Sequence, residues 1–239
     1  MDNAGYVALS RQAGLLRELN AVANNIANVS TSGYRREGMI FAEHVKALEG
    51  GDPSLSIATM SHRYVDFRAG EIRGSDNPLD VAIDGEGFFL VETAGGPRLT
   101  RSGAFSINAV GELITTDGRR VLDEGGGALV IPPQSSSIAI GADGTISADG
   151  QPVGRLGVVT ADPAFLVREG DTLFRAEQGF EPLPNAKVRQ SALEGSNVSA
   201  VGEIARLIDV QRAYEAGQRF LQSEDERIRR TVRELGQGQ

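Results

Sequence analysis

The chain has 239 residues and a formal net charge of −8, enough length to bury a sizeable core but nothing basic enough to neutralise a phosphate track, which excludes nucleic acid as a partner. The absence of cysteine excludes a disulfide framework and thiolate metal sites. No apolar run approaches the ~18 residues of a membrane span, and Met1–Ser10 lacks the basic stretch, apolar run and small-residue cleavage site of a secretory signal. The expectation is therefore a cytoplasmic protein, or one that leaves the cell without a cleaved signal.

The first element is a long amphipathic helix over residues 4–29, capped by Asp2 or Asn3. Leu15, Leu19, Val22, Ile26 and Val29 lie four, three, four and three residues apart, along one seam. The helix should stop near Ser30–Gly33, where Gly33 can take the left-handed position. Met39–Leu48 is compatible with a short helix or with an extended strap.

The middle of the chain is dense in turns. Thirty glycines against 5% aromatics favour many strands and tight turns, and Asp-Gly recurs at Asp84–Gly85, Asp117–Gly118, Asp143–Gly144 and Asp149–Gly150. Short β-type runs lie between these turns: Leu79–Ile83, Phe88–Glu92, Ala104–Ile107, Ser137–Ile140 and Val153–Thr160. Pro132–Pro133 and Pro182–Leu183–Pro184 mark connections.

The last helix starts near Asn197 or Ser199, with Glu203 in its first turn. Leu207, Tyr214, Leu221, Ile228 and Leu235 recur every seven residues. Taking Ile204, Gln211, Gln218, Asp225 and Val232 as their companions makes the middle of the seam half polar, as in a helix packed on one side and wet on the other. The fold class expected is α+β. A helix occupies residues 1–33, a connector 34–61, an antiparallel β domain 62–178, a second connector 179–196 and a second helix 197–239.

Catalytic chemistry has little to stand on. His44 and His62 lie in the first connector without zinc-type spacing. No G-x-S-x-G elbow, P-loop or dinucleotide fingerprint occurs. Asp76, Asp80 and Asp84 lack the alternation and closing glutamate of a calcium loop, so turn duty is expected of them. A secreted β-domain enzyme or carbohydrate binder with helical oligomerisation ends would need a concave site with convergent aromatic or ionisable groups. Four tyrosines, no tryptophan and two scattered histidines supply it poorly. No cofactor, metal or small-molecule substrate is expected.

Three blocks carry a further signal. The first is Ala23-Asn24-Asn25-Ile26-Ala27-Asn28, followed by Thr31-Ser32-Gly33-Tyr34-Arg35-Arg36. The second runs from Asn77 through Asp84-Gly85-Glu86-Gly87-Phe88-Phe89, continues as Thr100-Arg101-Ser102-Gly103-Ala104-Phe105 and ends at Gly111-Glu112-Leu113. The third is Leu193-Glu194-Gly195-Ser196-Asn197-Val198, leading to Gln211-Arg212-Ala213-Tyr214-Glu215. In order and spacing, essentially over the whole chain, these resemble the bacterial flagellar rod and hook proteins. The opening Met1–Ser10 and the short length look most like one rod paralogue, with its distal-rod sister as the alternative.

The resemblance implies terminal helices paired as a coiled coil in the inner wall of a tube, the C-terminal helix toward the central channel and the β domain outside. It implies assembly with itself and other rod proteins in the basal body, and passage through the flagellar type III export apparatus into the periplasm without a cleaved signal. The assembly residues expected are Leu15, Leu19, Val22, Asn24, Asn25, Ile26, Asn28, Val29, Ile204, Leu207, Tyr214, Leu221 and Ile228. Asn24, Asn25 and Asn28 are poor helix formers whose amides need partners, and neighbouring subunits are the partners expected. The family motif falls on Thr31, Gly33, Leu193, Glu194, Ser196, Asn197 and Val198. Each helix has a stripe of large apolar side chains, worth roughly 1.5–3 kcal/mol apiece when fully buried. The expectation is that neither folds stably until that stripe is covered.

Overall fold

A computed structural model describes residues 2–46 and 55–236. The chain divides into two units: residues 1–27, 37–66 and 199–239 form the first, residues 28–36 and 67–198 the second. The chain thus passes between units four times.

The first unit contains two helices and a hairpin. Helix α1 spans Asp2–Ala27 and ends two residues before the apolar spacing does. Helix α2 spans Ala200–Gly236. Its cap is Ser199, whose hydroxyl accepts from the Gly202 amide at 3.3 Å and whose carbonyl accepts from Glu203 N–H at 2.9 Å. Between them, Glu37–Lys46 pairs antiparallel with Leu55–Val65, so the stretch from Met39 is extended up to Lys46. His44 and His62 lie on this hairpin, their side chains outside the described residues.

The two helices run antiparallel. Gln12 Nε2 donates to the Tyr214 carbonyl at 2.9 Å, Arg206 Nε to Glu18 Oε1 at 2.7 Å and Asn25 Nδ2 to Glu203 Oε2 at 3.0 Å, so partners advance along α1 as they retreat along α2. Close approach is possible because Gly217 has no side chain: a Cβ there would lie 2.2 Å from Gln12 Nε2.

The second unit is β structure, antiparallel throughout its paired strands. Its largest sheet has six strands, in the order Leu166–Arg168, Leu173–Ala176, Gly96–Thr100, Phe88–Thr93, Val158–Thr160 and Glu181–Pro182. A three-stranded sheet joins Gln151–Arg155, Thr145–Ala148 and Ile138–Ile140. Its hairpin turns at Asp149–Gly150, where φ values of 48° and 78° give the doubly positive backbone that Asp-Gly tolerates. The run Val153–Thr160 is cut in two at Leu156–Gly157, where Gly157 N–H donates to the Leu122 carbonyl at 3.0 Å and a Cβ on Gly157 would lie 2.6 Å from the Asp123 carbonyl oxygen. Val81, Ile83, Phe89, Val91, Leu113, Ile131, Ile146 and Leu156 form one core, with Phe89 meeting Phe105 edge-on at 5.2 Å. Asp80 accepts from Ser75 Oγ at 2.5 Å and Asn77 Nδ2 at 2.9 Å, the turn duty expected of it.

Candidate functional site

Along α1 the row facing α2 contains Leu15 and Val22, both buried, and Leu19 and Ile26, half-buried. Val29 is half-buried beyond the helix end, in the second unit. Polar residues complete the same face: Gln12 and Glu18 are buried, and Asn25 is fully so. The Asn25 amide is used inside its own unit, donating to the Glu37 carbonyl at 2.8 Å and accepting from Glu37 N–H at 2.9 Å, besides its bond to Glu203. Asn24 is exposed and Asn28 half-buried.

On α2 the buried rhythm runs Glu203, Leu207, Val210, Tyr214, Gly217, Leu221. Leu207, Tyr214 and Leu221 are where the seven-residue repeat puts them, but their companions differ from those expected. Val210 and Gly217 sit on the seam three residues after Leu207 and Tyr214, whereas Ile204, Gln211 and Gln218 are exposed. Gln218 donates to the Tyr214 hydroxyl and Gln211 to Glu215, both on the wet side of the helix. The polar row therefore lies outside the helix interface. Ile228, further along, is exposed. Gln12, Glu18, Glu203, Val210 and Gly217 are the interface residues missing from the expected set. For Val210 and Gly217 a signal existed, since each is less polar than the glutamine that follows it.

A second constellation lies within the β unit and gathers the family motif. The Glu194 carboxylate, 1% exposed, takes Arg35 Nη1 at 2.6 Å on one oxygen and Arg101 Nη2 at 2.6 Å on the other. Gly70 N–H adds a bond to the first oxygen at 2.9 Å. The two guanidiniums outnumber the carboxylate, and backbone carbonyls offset the excess positive charge: Arg101 donates to Gly87 and Gly85, and Arg35 to Arg68. The Glu194 carbonyl accepts from Gly33 N–H at 2.8 Å and the Ser32 hydroxyl at 3.0 Å.

Asn197 extends the same net. Its side chain accepts from Arg36 N–H at 2.6 Å and donates to the Arg68 carbonyl at 2.9 Å, while its own N–H reaches the Tyr34 carbonyl. Thr31 donates to Asn28, and Ser196 Oγ accepts from the N–H of buried Val198. Leu193 pairs with Arg73 in the strand that delivers Glu194. Gly33 fits because its φ is +68° and a Cβ would lie 2.3 Å from the Arg101 carbonyl carbon. Residues 31–36, 68–70 and 193–198, which lie close to the four passages of the chain, are thus bonded into one knot around the buried Glu194.

A depression of about 650 Å³ is lined by Glu92, Arg98, Arg119, Arg120 and Glu169, among others. Its cations are paired: Arg98 with Glu169, Arg120 with Glu92, and Arg119 with Asp117. Hydrogen bonds from Arg98 and Arg175 hold the Glu169 carboxyl below the usual range, and the Glu92 carboxylate raises Arg120. Among the described residues no group of histidine and acidic side chains is arranged to hold a metal ion.

Three family models match in order. "Flagella basal body rod protein" covers residues 6–35, "Flagellar hook protein FlgE/F/G D1 domain" residues 82–148, and "Flagellar basal body rod FlgEFG protein C-terminal" residues 189–234. The first and third contain most of α1, most of α2 and the motif residues of the knot. The flagellar basal-body rod protein FlgF of Caulobacter vibrioides is 40% identical, with 99% of each chain covered. FlgF of Escherichia coli K12 is 33% identical over 95% of each chain. The rod protein FlgG of Bacillus subtilis 168 is 30% identical, covering 95% of this chain and 97% of its own. With likeness of this extent running through both terminal helices and the β unit, the chain belongs to the flagellar basal-body rod protein family, and its role is structural rather than enzymatic.

Proposed function

We propose that this chain is a rod subunit that polymerises through α1 and α2 into the tubular drive shaft of the flagellum, its neighbours being copies of itself and other rod proteins. Of the two rod paralogues among its relatives, FlgF is the one it most resembles. The observation that carries the polymerisation is the antiparallel pairing of α1 and α2 through Leu15, Val22 and Val210, with both helices keeping further apolar side chains exposed. The seam spacing of three and four residues through Leu207, Val210, Tyr214, Gly217 and Leu221 supports a coiled coil. The glycine at 217 and the long side chain of Gln12 act as hole and knob. Within this reading α2 turns its charged face to the central channel, and the β domain forms the outside of the wall. The knot at Glu194 holds the strand passages of the β unit in fixed register. The chain reaches the periplasm through the flagellar type III export apparatus.

Deletion of the gene tests the reading. Swimming and external flagella are expected to disappear, and a plasmid copy of the chain restores both. A deletion strain that swims normally would overturn it.

A further inference from the structure

Asp-Gly occurs four times in the β unit, and the four pairs are not equally restrained. An aspartate followed by glycine carries a latent reaction. With no side chain in the way, the glycine amide nitrogen can reach the aspartate carboxyl carbon. Attack needs a carboxyl free to turn toward the chain and an amide N–H not committed to another acceptor. Three of the pairs lack at least one of these. Asp117 is bonded by Thr115 Oγ1 and Arg119, and Gly118 N–H donates to the Thr115 carbonyl at 2.9 Å. Asp143 accepts from Thr145 N–H at 3.1 Å and Thr145 Oγ1 at 2.8 Å, and Gly144 N–H donates to the Gly141 carbonyl at 2.9 Å. The bonds from Thr145 hold the Asp143 carboxyl below its usual range, in the ionised form that resists attack. Asp149 accepts from Ser136 N–H at 3.0 Å and Ser137 N–H at 2.9 Å.

The fourth pair is open on both counts. Asp84 and Gly85 are exposed, and among the described residues nothing bonds the Asp84 carboxylate or the Gly85 N–H. A Cβ on Gly85 would meet no atom within 4 Å, so a ring has room to close there. The backbone on either side is held, by contrast. Asp84 N–H donates to the Lys187 carbonyl at 2.7 Å. Around it, the turn wraps the Arg101 guanidinium, which donates to the carbonyls of Ile83 at 3.3 Å, Gly85 at 2.9 Å and Gly87 at 2.6 Å. These carbonyls offset part of the excess positive charge in the Glu194 knot.

We infer that Asp84–Gly85 is a self-modification site, where the chain slowly converts Asp84 to isoaspartate and thereby loosens the Glu194 knot. The Gly85 nitrogen bonds to Cγ of the protonated Asp84 carboxyl. The carboxyl hydroxyl leaves with the amide proton as water, and a five-membered succinimide closes. Water then adds to the former main-chain carbonyl of Asp84 and breaks its bond to the Gly85 nitrogen, while opening at the other carbonyl restores aspartate. The isoaspartate product carries the backbone through Cγ and leaves the α-carboxylate as its side chain. One water is lost and one regained, so mass, charge and oxidation level are unchanged. The backbone is now one methylene longer between two pinned points, the Asp84 N–H and the Gly85 carbonyl. The Gly85 carbonyl, in the exposed part of the turn, gives way, and the buried Arg101 loses an acceptor. Each copy thus carries a change that depends on its age.

The purified full chain, aged warm at neutral pH, tests this. Samples are digested, and isoaspartate is tagged with an isoaspartate methyltransferase and located by fragmentation of the peptides. In the folded chain it is expected to accumulate several-fold faster at Asp84 than at Asp117, Asp143 or Asp149. In urea, where the restraining bonds are gone, the four rates should converge. A faster rate at any of the other three in the folded chain, or an undiminished Asp84 lead in urea, would overturn the inference. The link to the knot is read from stability. The aged chain should develop a second, lower urea midpoint in step with isoaspartate at Asp84. Asp84→Glu, whose longer side chain opposes closure of the small ring, should keep its single midpoint through the same ageing. Conversion of Asp84 with an unmoved midpoint contradicts the loosening, and so does an equal fall in aged Asp84→Glu.

Discussion

Glu194→Ala is expected to destabilise the β unit by about 3–5 kcal/mol, the range for removing one partner from a buried ion pair. The size follows from what is left behind. Arg35 and Arg101 are both buried and converge on this one carboxylate, so its loss leaves two guanidiniums facing each other out of water. Gly70 N–H loses an acceptor as well. Glu194→Gln keeps the shape and an acceptor oxygen but not the charge, and is expected to cost less than the alanine. In urea the transition midpoint should fall with little change in slope, the signature of altered stability with native compactness retained. The matched control is Glu169→Ala, which removes a carboxylate bridging Arg98 and Arg175 at the surface and should leave the midpoint nearly in place. Equal effects of the two substitutions would show that the knot is not what holds these segments.

Val22→Asp, or Val210→Asp from the other side, is expected to unpair the helices. Both valines are buried at the helix interface, and an unpaired carboxylate there costs on the order of several kcal/mol. Isolated helices of this composition are marginal in water, so much of the far-ultraviolet helical signal should go. The β unit has its own core and should keep its cooperative transition. In cells either variant should abolish swimming. Gln211→Ala, one residue from Val210 but off the seam, should change neither reading. A Val22→Asp chain with full helicity and normal motility would contradict the helix pair as the means of assembly.

These two substitutions mark how far the sequence alone could be read. The seven-residue repeat located α2, and apolar spacing located the first seam, because both signals are local. Choosing the companion row was a different problem. Residues three before and three after Leu207 are equally consistent with a repeat of seven, and the lower polarity of Val210 and Gly217 beside Gln211 and Gln218 is the local cue that separates the two rows. Short strands are legible from alternation between Asp-Gly turns, yet the cut at Gly157 is not, because the two halves join different sheets and Gly157 bonds to Leu122 in a distant segment. The sequence points the Asn25 amide outward to neighbouring subunits, and it instead joins Glu37 and Glu203 within the chain. The role of Glu194 was wholly illegible, since Arg35 and Arg101 reach it from far away in sequence. A buried charge network of that kind leaves only the residues themselves as its trace.

The position of the two helices in the assembled organelle decides whether this chain builds the rod wall. Electron cryo-microscopy of basal bodies, from cells whose only copy of this chain carries a small tag in the exposed Gly125–Gly127 turn, locates them directly. The expected map has tag density on the outer surface of the rod, with α1 and α2 paired in the wall and the charged face of α2 toward the channel. Tagged chains that restore swimming but appear nowhere in the rod, or whose helices lie unpaired outside the wall, would contradict it.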